Sequence, residues 1–260
     1  MDGLQRRALI TGASAGLGVE FAEQLAARKV DLLLVARRKD KLEAVAADLR
    51  ARHGVDVAIF PADLEDRDAP RRIFEFSRDS GLDVDWLVNN AGSAGPHLLE
   101  EPEWAPQAAF LELMMLSVTQ MCHWFVPPMK ARNFGRIVNV ASFAGRIARP
   151  AGAHYGPSKA YLIALSEELA LMLKGTNVHV TALCPGFTHT DFHATAGLDE
   201  MKSGLPGFIW YDAATVVREG LEAVDKGRAI LVSGRIYRWL DPLAQSVFVR
   251  PLLKAFAPGR

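Results

Sequence analysis

Short apolar runs alternate with longer amphipathic segments from the first residues to about position 232. The runs Ala8–Thr11, Asp31–Ala36, Val55–Pro61, Trp86–Asn89, Arg136–Ala141, Val178–Leu183 and Ala229–Val232 are short, and several are continuous in Leu, Val and Ile without polar alternation. This pattern predicts strands covered on both faces, as in a parallel sheet. Between them, Val19–Arg28 and Lys41–Arg52 carry Ala, Leu and Val at helical spacing with charges outside. Tyr161–Lys174 is apolar along one side and ends beside Gly175, a helix stop signal. Strand–helix–strand repetition predicts an α/β architecture: a doubly wound parallel sheet of about seven strands, helices on both faces, and ligands at the carboxyl ends of the strands. No linker or low-complexity stretch divides the chain, so residues 1–260 are read as one domain.

Composition narrows the choice of partner. Hydrophobic residues make up 50%, enough for a large buried core, and thirty basic residues balance thirty acidic ones. Zero net charge removes the usual electrostatic case for nucleic acid, although basic residues cluster at Arg37-Arg38-Lys39 and near the C-terminus. Cys122 and Cys184 lie far apart in apolar sequence and read as buried thiols, not a disulfide framework. Met1–Arg7 lacks the apolar core of a signal peptide. No stretch is read as approaching the roughly 20 apolar residues that span a bilayer. The expectation is a cytoplasmic protein, of a composition shared by many others.

The segment Thr11-Gly12-Ala13-Ser14-Ala15-Gly16-Leu17-Gly18 follows the first strand and opens the first helix. Glycines there allow a tight turn and let backbone N–H groups approach a pyrophosphate at the helix N-terminus. Taken alone, the segment could equally be a plain strand–helix connection. Its spacing is Gly-x-x-x-Gly-x-Gly. Together with Asn89-Asn90-Ala91-Gly92 at the fourth strand, Tyr155-x-x-x-Lys159, and Pro185-Gly186 after the sixth, it resembles the short-chain dehydrogenase/reductase family, in the right order from residue 7 to about 235. The resemblance implies a Rossmann fold, a nicotinamide cofactor and a homodimer or homotetramer. It also implies a cofactor site at Gly12, Ser14, Gly16, Leu17, Gly18, Asn90, Ala91 and Gly92.

The end of the second strand bears on which nicotinamide. An acidic residue there hydrogen-bonds the ribose 2′-hydroxyl of NAD, whereas Arg accommodates a 2′-phosphate. Here the chain reads Ala36-Arg37-Arg38, so Arg37, with Arg38 beside it, points to NADP(H) over NAD(H). The alternative is that both arginines are a solvated cap on the next helix. Asp63 and Leu64 match the family's adenine-contacting position, and Asp63 could instead cap the following helix.

Tyr155 and Lys159, four apart at the start of a helix, share one face. A Tyr with its ordinary pKa of about 10 is a poor base near neutrality, but a neighbouring ammonium favours the phenolate. Such a Tyr can donate a proton to a carbonyl oxygen in reduction and recover it in oxidation. Ser142, ending the fifth strand, can hydrogen-bond the reacting oxygen, or serve only as a strand-end turn residue. The resemblance implies that Ser142 orients substrate, Tyr155 is the acid/base and Lys159 also holds the ribose. It implies that Pro185, Gly186 and Thr188 or Thr190 lie beside the nicotinamide.

His154 and His193 lack metal-ligand spacing, and no catalytic metal is expected. One position departs from the family. Between Gly92 and Ser142 its members usually place an Asn that holds a water for the Lys, and counting from both motifs brings that position to Met114.

Residues 187–212 are expected to cover the substrate. Phe187, Phe192, Met201, Leu205, Phe208, Ile209 and Trp210 suit a hydrophobic ketone, aldehyde, acyl thioester or ring alcohol, or a lid packing on its own aromatics. The tail from Tyr237 to Phe256 mixes Trp239, Leu240 and Phe248 with Arg238, Arg250 and Lys254. Such a basic amphipathic pattern fits a membrane surface, but the resemblance favours packing over the site or against another subunit. Two further functions stay open: an NAD-linked alcohol or steroid dehydrogenase, and a cofactor-binding regulator without turnover.

Overall fold

A computed structural model of the chain describes residues 5–147, 154–189 and 207–249. Seven parallel strands form the main sheet: β1 (Arg7–Thr11), β2 (Asp31–Ala36), β3 (Val57–Pro61), β4 (Trp86–Asn89), β5 (Gly135–Val140), β6 (Val178–Cys184) and β9 (Ile230–Val232). Their spatial order is β3-β2-β1-β4-β5-β6-β9. The strand order reverses between β1 and β4, which opens a crevice at their carboxyl ends.

Alternation of side chains along each strand builds two cores. On one side Leu9, Leu33, Leu87 and Ile137 pack with helices α3 (Ala69–Asp79), α5 (Ser117–Ala131) and α6 (Tyr155–Met172). On the other side Ile10, Leu34, Val88 and Val138 pack with α1 (Gly16–Ala27), α2 (Lys39–His53) and α7 (Ala213–Asp225). All six residues of β2, DLLLVA, are buried, which is why that run shows no polar alternation.

The expected strands and helices are present, with shifted ends. β3 starts at Val57 because Gly54, at φ +63°, closes α2 and Asp56 N–H is held by the Asp31 carboxylate. α6 ends at Met172, short of Gly175, whose φ of +86° belongs to the turn that follows. Two two-residue strands, β7 (Thr188–His189) and β8 (Tyr211–Asp212), pair beyond the main sheet and carry no hydrophobic pattern of their own.

Helix α4 (Trp104–Leu111), a π-helical turn (Glu112–Leu116) and α5 run on as one helical segment, Trp104–Ala131, long and apolar enough by length and composition to cross a membrane. Its scattered polar residues disguise the apolar run. Met114, Val118, Met121, Phe125 and Met129 are spent on the core.

Candidate active site

The crevice between β1 and β4 is tied together by Thr11. Its hydroxyl donates to Val88 O at 3.3 Å and accepts the N–H groups of Asn90 and Ala91 at 3.0 and 3.1 Å. The Asn90 amide returns a bond to Thr11 O at 3.0 Å. Above this tie the glycine turn has Gly12 at φ +66° and Gly16 at φ +54°. A Cβ on Gly18 would stand 2.2 Å from Gly12 O, so only glycine lets α1 begin this close to the strand end. Ala15, at the N-cap of α1, offers no capping side chain, which leaves the first N–H groups of the helix to an outside acceptor.

At the end of β2, Arg38 occupies the N-cap position of α2, and its guanidinium donates to Ser14 Oγ at 3.2 Å. Arg37 is exposed, 3.7 Å from Asp63 and 3.9 Å from Glu65. Arg38 thus stands at the N-cap without a side-chain capping bond and reaches the glycine turn, while Arg37 points to the acids after β3. Asp63 does not cap α3: its carboxylate accepts Glu65 N–H two residues on, in a local turn. Leu64 is buried in the core beneath.

The candidate reacting groups lie just after β5 and at the start of α6. Lys159 is buried, and its Nζ donates to Val140 O at 2.8 Å, 5.7 Å from the Tyr155 ring centroid. Burial pulls its ammonium down to about 8. Ser142 caps a 3-10 turn (Phe143–Gly145), its Oγ accepting Ala144 N–H at 3.1 Å, which leaves its own O–H to donate. A Cβ on Gly145 would lie 2.7 Å from Ala160 N, so this turn presses on α6 one residue past Lys159. Gly92 closes the arrangement from β4: a Cβ there would come within 3.2 Å of Met114 Sδ and 3.8 Å of Lys159 Nζ. Met114 lies in the π turn, where Ser117 N–H reaches back five residues to Glu112 O.

Pro185, Gly186 and Thr188 follow β6, and Thr188 Oγ1 donates to Gly186 O at 3.1 Å. Thr190, His193, Phe192, Met201 and Leu205 lie outside the described residues. Of the remaining cover, Trp210 packs on Phe187 and His189 with ring centroids 5.1 and 5.2 Å apart. Phe208 is exposed.

Several residues that organise the site carried no readable signal. Tyr237, in α8 (Arg235–Gln245), accepts Phe187 N–H at 3.2 Å and donates to Ile209 O at 3.0 Å. Its ring fills the space a Gly186 side chain would need, 2.0 Å from that Cβ. Arg146 grips Asp241 of the same helix through two bonds of 2.7 Å. These partners are 50 and 95 residues apart. Cys184 and Cys122 are free and buried, and burial pushes both thiols up to about 12.

The chain is 35% identical over 182 residues to nodulation protein G of Rhizobium sp. strain N33, covering 70% of this chain and 73% of that protein. It is 33% identical over 208 residues to the 3-oxoacyl-(acyl-carrier-protein) reductase of Staphylococcus aureus, covering 78% and 82%. Among solved structures, a short-chain dehydrogenase from Sphingobium yanoikuyae in complex with NADPH superposes with a TM-score of 0.80 at 30% identity, covering 97% and 96%. The family model for short chain dehydrogenases matches residues 6–201, most of the sheet and all of the glycine, Asn90, Ser142, Tyr155 and Lys159 positions, and the chain belongs to that family of oxidoreductases.

Proposed function

We propose that this protein is an NADP(H)-dependent oxidoreductase acting on a hydrophobic carbonyl or the corresponding alcohol, with Tyr155 as general acid/base. The observation that carries the proposal is Lys159: a buried amine held by Val140 O, beside the Tyr155 ring and within reach of Gly92. A structural lysine gains nothing from such burial, whereas a proton-transfer site uses a cation there.

The residues present fit a dinucleotide. Gly12, Gly18 and Gly92 leave backbone where side chains would intrude, and Gly12 and Gly16 turn the chain at positive φ. Arg37 and Arg38 offer two guanidinium groups at the end of β2, where no acidic side chain stands on the strand end itself, and Ser14 in the glycine turn adds a hydroxyl bonded to Arg38. Guanidinium matches a 2′-phosphate through paired hydrogen bonds. The NADPH bound by the Sphingobium relative supports the same choice. When bound, the nicotinamide supplies or accepts a hydride at the carbonyl carbon. Ser142 holds the carbonyl oxygen with its free O–H, Tyr155 donates the proton that completes the alcohol, and in oxidation it takes that proton back. Lys159 biases Tyr155 toward phenolate and offers donors to the ribose. Phe187 and Trp210 supply apolar walls, in keeping with an acyl or ring substrate. The acyl substrate named for the Staphylococcus relative is of this kind.

The test is NADPH and NADH oxidation measured by absorbance against a panel of hydrophobic carbonyls, with Tyr155→Phe in parallel. Wild type should turn over at least one carbonyl with NADPH preferred. The variant should keep NADPH affinity and lose on the order of 100-fold or more in rate. Comparable turnover by the variant would remove Tyr155 from its role, and a preference for NADH would favour an NAD-linked dehydrogenase. No turnover of any carbonyl by a wild type that binds NADPH would favour a regulator.

A further inference from the structure

Helix α8 has two chemically different faces. Its inner face carries Tyr237, Asp241 and Ala244, packed over Gly186 and the turn after Ser142. Its outer face carries Trp239 and Leu243, 80% and 54% exposed and one turn apart on the helix, and the chain continues through Val247 and Phe248, 78% and 83% exposed. Leu240 stands partly exposed beside them. Large apolar side chains this accessible and this close together mark a surface that is covered in use.

Charge identifies the cover. From Arg235 to Arg260 the sequence holds Arg235, Arg238, Arg250, Lys254 and Arg260, the last three outside the described residues, against the single acid Asp241, so this stretch is net basic in a chain whose remainder is net acidic. Asp241 is turned inward and held by Arg146, so it contributes no negative field to the outer face. Arg235 is exposed at the start of the apolar stripe, and Arg238 stands beside it, paired with Glu219. Another exposed apolar group, Leu98, Leu99 and Trp104, has the opposite setting, among Glu100, Glu101 and Glu103, and the exposed pair Leu171 and Met172 has Lys174 close by in sequence.

We propose that the outer face of α8 docks on an anionic lipid surface. Trp sits well at the headgroup level, with an apolar ring and a polar N–H, and Arg can lay its stem along apolar surface while its head meets phosphate. Apolar and basic groups together bind such a surface in a way that neither does alone. The sequence set packing over the site against a membrane role for this tail; the structure gives the first to the inner face and leaves the outer face for the second. The helix that borders the site would then be the one lying on the lipid, a short path for a carbonyl dissolved there. The docking itself stands apart from the activity proposed above.

The test is cosedimentation with vesicles of equal parts phosphatidylcholine and phosphatidylglycerol, and with pure phosphatidylcholine vesicles. Wild type should bind the mixed vesicles about tenfold or more tightly than the neutral ones, with affinity falling as salt is raised. The double variant Trp239→Ser/Phe248→Ser should lose at least about tenfold in binding while retaining NADPH affinity by calorimetry. Arg235→Glu, a surface charge change that leaves packing alone, should weaken binding to mixed vesicles only. Failure of wild type to sediment with mixed vesicles, or equal binding by the double variant, would overturn the proposal. So would light scattering that shows a wild-type oligomer dissociating in the double variant, since a second copy would then cover the face.

Discussion

Met114 Sδ accepts the backbone N–H of Ser93 at 3.4 Å, so a thioether stitches the π turn to the loop beside Lys159. Relatives are expected to carry an amide side chain at this position. A thioether cannot donate a hydrogen bond and accepts only weakly, so it cannot hold a relay water in the same way. The helix is nevertheless distorted at this point, and a π turn breaks the regular i→i−4 pairing of carbonyls. A backbone carbonyl can then serve without side-chain help. Met114→Asn should therefore change the turnover rate by less than about tenfold, roughly 1.4 kcal/mol in the barrier. Side-by-side rates with NADPH and one carbonyl decide it: an inert wild type with an active Asn variant would overturn the enzyme assignment itself.

Among the described residues, Arg37 makes only long, exposed ion pairs, at 3.7 and 3.9 Å. Such pairs contribute little to stability because solvent screens them. Arg37→Ala should leave the melting temperature unchanged and weaken NADPH by about ten- to a hundredfold, with NADH affected far less, since only NADPH carries the 2′-phosphate. Calorimetric titration of both cofactors measures this. Equal weakening of the two would make Arg37 a supporting residue and leave Arg38, bonded to Ser14, as the phosphate partner.

The strands were legible because a parallel strand buried on both faces must be apolar throughout, as in Leu32-Leu33-Leu34-Val35. The glycine turn and the Tyr155–Lys159 pair were legible because each is local: neighbouring residues make the chemistry. What escaped was either weakly patterned or distant. Residues 104–131 mix Gln107, Glu112, Thr119 and Gln120 into an apolar run, which hides both its length and its helical face. Tyr237 and Asp241 act on Phe187 and Arg146 across 50 and 95 residues, and no local spacing encodes such pairs. Leu64 reads as a cofactor contact by position; its side chain is buried, so any such contact is through its backbone, and Asp63 offers the accessible side chain of that pair.

The buried Lys159 makes a stability signature. Its folded-state pKa of about 8 lies below the ordinary 10.5, so between those values the unfolded chain binds more protons than the folded one. Stability contributed by this residue therefore rises with pH across that window, and below it the folded protein bears the cost of a buried charge. Lys159→Met removes the cost. In cofactor-free protein the variant should gain on wild type at pH 7, and that advantage should shrink by about 3 kcal/mol on going to pH 10.5. Urea unfolding at both pH values checks it. An advantage that stays constant with pH would mean that the ammonium is solvated.

Arg146 and Asp241 fasten α8 to the turn that begins at Ser142, with both side chains largely shielded and Gln245 donating to Arg146 O as a third tie. Asp241→Asn keeps the shape and removes the charge, leaving Arg146 shielded without its anion. A shielded guanidinium stripped of its carboxylate costs about 2 kcal/mol, or roughly 4–8 °C in melting temperature for a chain of this size. Tyr237 lies one turn earlier on the same face and braces Phe187 beside the proposed nicotinamide position, so a loosened α8 should be felt by the substrate before the chemistry. The expected kinetic pattern is a raised KM for a bulky carbonyl with kcat changed less, because uniform binding is lost and not a transition-state contact. Replacing the pair in reverse, Arg146→Asp with Asp241→Arg, should recover part of both losses. An Asp241→Asn protein with unchanged melting temperature and KM would show that α8 is held in place without this ion pair.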